Sequence, residues 1–205
     1  MTEVLRRKWH DLVRAWAMAP TLADRTFEDI RELYAGHGRF YHTLDHIHHV
    51  LATIEGLGSF ARNPSAVNLA AWLHDVIYNS RAADNEEQSA QYAERLCEKL
   101  SIPEGRLVGS LILKTKAHDA GNDPDAQVLL DADLAILGAS EPVYRDYAEK
   151  IRQEYGWAQE SAYRTGRRLV LTKFLARPRV FHFLSYLEDP ARRNLAGEIA
   201  RLAGA

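Results

Sequence analysis

Residues 70–80 read AAWLHDVIYNS and close a longer apolar run that begins near Pro64. Val67, Leu69, Ala70, Ala71, Trp72, Leu73, Val76, Ile77 and Tyr78 nearly encircle a helix of 3.6 residues per turn. The spacing therefore predicts a helix over 64–80 that runs through a core. His74 and Asp75 interrupt it. Burial strips water from a carboxylate, so Asp75 must meet positive charge to be tolerated there.

On both sides of this run apolar residues recur at three- and four-residue spacing, and no segment alternates strictly as a strand would. The expectation is an all-α, single-domain helical bundle. Its helices fall at about 2–18, 25–36, 43–58, 64–80, 84–100, 104–118, 124–138, 141–155, 159–176 and 178–202, the last broken at Pro190. Thr43, Asp84 (with Glu87 three positions on) and Ser140 read as N-caps. The connections RNPS, SIPEG and DAGNDPD are short and turn-like. A length of 205 residues suits one domain over 1–205, with the chemistry in a core of about 40–140 and helices of 141–205 packed on it.

With a net charge of -2, 46% hydrophobic and 26% charged residues, the composition has no bias toward nucleic acid or an anionic membrane, and neither is expected as a main partner. The one cysteine, Cys97, excludes an internal disulfide framework and a cysteine-rich zinc module, which fits a reducing cytoplasm. No segment approaches the ~20 apolar residues of a membrane span, and the N-terminus lacks the apolar centre of a signal peptide.

His-Asp dipeptides occur at 10–11, 74–75 and 118–119, so the pair alone is weak evidence; only the one at 74–75 lies in an apolar helix. A divalent ion would satisfy both of its side chains, since neutral imidazole and carboxylate are ordinary ligands. Further ligands are at hand. RFYHTLDHIHHVL (39–51) carries His42, His46, His48 and His49, and VLLDADLAILG (128–138) carries Asp131 and Asp133 in a second apolar stretch. His48 points away from His46 and reads as a surface residue; one ion explains the rest together.

An early histidine, a His-Asp pair in an apolar helix and a later aspartate in another resemble the HD superfamily of metal-dependent phosphohydrolases, an all-helical fold. The segments YHTLDHI, HDVIYN, DNEEQSA, DADLAILG and YAEKIRQEY are similar to those of its small bacterial subgroup. The resemblance implies one divalent ion (Mn, Zn, Fe, Co or Mg) on His46, His74, Asp75 and Asp133, with Asp131 as hydrogen-bond partner to one of the histidines. HD proteins with two metals carry additional histidines, usually two, near position 118; here only His118 stands there, as a site residue or as a helix C-terminal residue facing the dipole.

The activity implied is metal-assisted hydrolysis of a small phosphate ester, nucleotides included, in which the ion polarises a phosphoryl oxygen or acidifies water. Asp75, Glu86 and His118 are its candidate catalytic residues, and His42, Tyr78, Lys114 and Arg152 its candidate substrate contacts. Where stringent-response hydrolases and HD deoxynucleotidases carry acids after the pair, this chain has Tyr78-Asn79; Glu86 is the substitute base, and Glu87 reads as a capping-box residue. Two rivals stand beside it: a metal-stabilised nucleotide-binding or interaction module without turnover, and a di-iron oxygenase, which needs more ligands than the sequence offers. A homo-oligomer is compatible with the sequence.

Overall fold

The computed structural model describes residues 1–204, which form ten α-helices with no strand among them. They are α1 (Thr2–Val13), α2 (Pro20–Tyr34), α3 (Leu44–Leu57), α4 (Pro64–Leu73), α5 (Asn85–Lys99), α6 (Gly105–Ala117), α7 (Pro124–Leu134), α8 (Glu141–Glu154), α9 (Glu160–Leu175) and α10 (Glu188–Gly204). Short 3-10 turns follow α1, α3 and α7 and precede α10. No helix among the described residues is long and apolar enough to cross a membrane.

α4 is the axis. It touches α1, α3, α5, α6 and α7, and Ala66, Val67, Leu69, Ala70, Ala71, Trp72 and Leu73 are all buried against them. Trp72 meets the edges of Trp9 and Phe27 at centroid distances of 5.5 and 6.2 Å. Asp125 of α7 fixes its entrance, accepting the backbone N–H groups of Arg62 and Asn63 at 2.6 and 3.0 Å. Pro64 at the first turn loses nothing by lacking an N–H.

The helix ends earlier than its apolar pattern predicts, at Leu73 rather than 80. Side chains from distant segments take the backbone groups that further turns would have used. Tyr34 donates to the Trp72 carbonyl at 2.9 Å, Arg39 to those of Asp75 and Val76 at 2.8 and 2.9 Å, and Ser89 bonds both the N–H and the carbonyl of Ile77 at 3.1 and 3.2 Å. His74 and Asp75 thus stand on a turn at the end of α4, not inside it.

The same device reshapes the C-terminal region, expected to be helical from 178. Asp131 of α7 accepts the N–H groups of His182, Phe183 and Leu184 at 2.6–3.1 Å, and Glu188 accepts those of Val180 and Phe181 at 2.9–3.2 Å. α10 begins only at Glu188, and Pro190 sits unbroken in its first turn. It seats on the turn after α7, where a Cβ on Gly138 would fall 2.6 Å from that of Leu187, so only glycine allows the approach. Of the expected caps, Thr43 accepts from the Asp45 N–H at 3.3 Å, whereas Asp84 and Ser140 make no cap bond and Glu87 pairs with Lys116.

Candidate metal centre and its cavity

Three segments bring four side chains to one point. α3 buries the face carrying His46, Ile47, Val50 and Ile54; the turn after α4 presents His74 and Asp75; α7 presents Asp133. His46 Nε2 lies 3.2 Å from His74 Nε2, 3.6 Å from Asp75 Oδ2 and 3.3 Å from Asp133 Oδ1. His74 Nε2 lies 3.2 Å from Asp75 Oδ2 and 3.5 Å from Asp133 Oδ1. Ligands bonded at about 2.1 Å to one ion stand roughly 3.0–3.5 Å apart along the edges of a tetrahedron or octahedron. His46, His74 and Asp75 form a group that can hold a metal ion.

The tautomer suits that use. His74 Nδ1 donates to the Ala71 carbonyl at 2.9 Å, which leaves Nε2 facing the cluster. Burial pushes the His46 imidazolium below its ordinary range and prevails over the pull of Asp133. On His74 burial is overcome by Asp75 and Asp133, and its protonated form is held well above the usual range. Against burial, the neighbouring imidazoles hold both carboxylates below the usual carboxylate range.

His118 joins from the end of α6, its Nε2 3.2 Å from Asp133 Oδ2. It takes a left-handed conformation (φ 49°, ψ 47°), which costs a non-glycine residue energy and turns its ring onto Asp133 and Phe174. Asp131 points elsewhere, to the 182–184 backbone, so Asp133 rather than Asp131 faces the cluster and no histidine ring is partnered by Asp131.

His42 precedes α3, and His49 is exposed. His42 is held by Glu154 of α8, whose side chain is 0% exposed. One oxygen of Glu154 accepts the N–H groups of Phe40, Tyr41 and His42 at 2.8–2.9 Å. The other accepts from His42 Nδ1 at 2.7 Å and from the Tyr78 hydroxyl at 2.8 Å. Although burial opposes its charge, these bonds hold the Glu154 carboxyl down at about 2. Tyr78 stacks on the His42 ring at 4.2 Å. Arg39 spans the gap between ligand segments, donating to the His42, Asp75 and Val76 carbonyls at 2.8–2.9 Å.

The sequence reading missed Arg39 and Glu154. Glu154 had a signal: with Tyr144, Tyr147 and Ile151 it continues the buried stripe of α8, as Asp75 continues that of α4. Arg39 had none, because two of its three carbonyl partners are 36 and 37 residues away.

A cavity of about 920 Å³ opens over the cluster. Its walls include His42, His74, Asp75, Asp133 and His118 at the cluster, and also Tyr78, Glu86, Thr115 and Lys116, with residues of α8, α9 and the turn after α7. Lys114 and Arg152 are not among its walls. Lys114 faces Asp123 at 3.8 Å, and Arg152 pairs with Glu160 at 3.0 Å and lies over the Tyr163 ring. Compared with family models, curated proteins and solved structures, the chain matches none.

Proposed function

We propose that the chain is a divalent-metal-dependent hydrolase of a small phosphate ester, built on the HD pattern that its sequence resembles. The observation that carries this reading is the meeting of His46, His74, Asp75 and Asp133 within 3.2–3.6 Å of a histidine Nε2, with the His74 tautomer fixed, at one end of a large cavity. His46, His74, Asp75 and Asp133 would hold the ion, which supplies Lewis acidity toward a phosphoryl oxygen and toward water.

The chain's own groups divide the proton work. His42 is fixed through Nδ1 by Glu154, so its Nε2 is free to face the ester, and its imidazolium is held above the ordinary range because Asp75 and Glu154 outweigh burial. It is the donor to the departing alcohol oxygen. Glu86, in the first turn of α5, walls the same cavity and forms no ion pair among the described residues; it is the base for water. His118 orients Asp133.

The test is to strip the protein with chelator, restore manganese, zinc, iron, cobalt or magnesium singly, and assay phosphate esters. Turnover that returns with one metal and disappears in His74→Ala and Asp75→Ala supports the reading; no metal bound above trace sinks it. A second reading, binding without turnover, is favoured by the Tyr78 hydroxyl being committed to Glu154 and the Asn79 side chain to the Arg81 N–H in the stretch where better-known relatives carry acids. Tight ligand binding with no product over long incubation would decide for it.

A further inference from the structure

The part of the cavity beyond the cluster is apolar, and part of it is uncovered by the fold. Ala162, Gly166 and Val170 recur every four residues along α9 and line it, all three exposed, Val170 to 45%. Leu137, Ile151, Leu171 and Phe174 stand in the same wall, with the rings of Tyr147, Tyr155 and Tyr163 among them. An apolar surface left open to water in a concave site gains free energy when an apolar ligand covers it.

Charge narrows the ligand further. Lysine and arginine are represented in the wall only by Lys116 and Arg167. Lys116 is bound to Glu87 and to the Ala83 carbonyl; Arg167, its side chain 9% exposed, pairs with Glu198 at 2.8 Å and donates to Tyr147 at 3.2 Å. Among the described residues neither cation is left over for a second or third phosphate. A nucleoside polyphosphate would bring its charge before Asp75, Glu86 and Asp133 without the cations such groups require. A monoester carries about -2, less negative charge than a nucleoside di- or triphosphate would bring before those carboxylates.

We propose that the cavity takes a phosphomonoester whose alcohol part is bulky and apolar, an aryl or branched alkyl group seated against α8 and α9. This rests on the hydrolase reading above. Water oxygen bonds to phosphorus, the ester P–O bond breaks, the alcohol oxygen takes a proton, and hydrogen phosphate leaves with the other hydrogen of the water.

Binding rather than turnover tests it. Methyl-, butyl-, benzyl- and naphthylmethylphosphonate, with nucleoside mono- and triphosphates, are titrated calorimetrically into the manganese-loaded and the metal-free chain. Affinity should rise about fourfold per buried methylene-sized group, roughly sixtyfold from methyl to butyl, with the aryl members tighter still. The gradient should persist without metal. A Cβ at Gly166 meets nothing within 4 Å, so Gly166→Leu starts from open space and takes up cavity volume; it should flatten the gradient and leave manganese binding intact. Should its melting curve show misfolding, Val170→Asp serves instead, weakening naphthylmethylphosphonate alone. A flat series, or tighter binding of any nucleotide than of naphthylmethylphosphonate, overturns the ligand class. A steep series with no hydrolysis of the matching phosphates under any metal upholds the ligand class and overturns the hydrolase reading.

Discussion

Glu154 ties three backbone donors, one imidazole and one phenol to a carboxylate hidden from water, and its ionisation is coupled to folding. Its carboxyl titrates near 4.5 in an unfolded chain and at about 2 in the fold. A depressed folded value means stability present above the unfolded one and lost as pH falls toward the folded one. In metal-free protein, Glu154→Gln should therefore cost roughly 3 kcal/mol at neutral pH, with the deficit closing between about pH 4.5 and 2. Urea unfolding at stepped pH measures this; a deficit constant with pH would contradict it. Arg39→Met keeps much of the side chain's bulk but frees three carbonyls around the ligand turn. Metal affinity should drop about 10–100-fold with helix content unchanged, read by competition with a chelating dye and by circular dichroism.

For single elements, the central helix rests on shape and the C-terminal one on close approach. Trp72→Ala empties a site enclosed by Trp9 and Phe27 and should lower stability by about 3–5 kcal/mol in denaturant titration. Gly138→Ala drives a methyl into Leu187 and should cost about 1–3 kcal/mol by the same measurement. The helices themselves were legible because their apolar periodicity is local. Their ends were not, where distant side chains decide them: Arg39 and Ser89 stop α4, and Asp131 with Glu188 keeps 180–184 irregular. His46, His74, Asp75 and Asp133 could be picked out because buried acids and histidines stand out in apolar runs. Lys114 and Arg152 could not be assigned from sequence, since a surface cation and a site cation look alike until their partners are known.

For the whole molecule, an ion bridging α3, the turn after α4, and α7 would bind the folded chain and not the unfolded one. At free metal a hundred times the dissociation constant, stability should rise by about 2.7 kcal/mol, a melting shift of roughly 5–10 °C, and His74→Ala should show none. Differential scanning calorimetry with and without chelator checks this. The molecule also separates two jobs. The cluster end of the cavity comes from segments locked by Arg39 and Glu154, while the apolar end comes from a face of α9 that carries the small residues Ala162 and Gly166. In evolutionary terms the two ends can diverge at different rates: changes on that face of α9 would resize the chamber while the histidine-aspartate cluster beneath stays as it is.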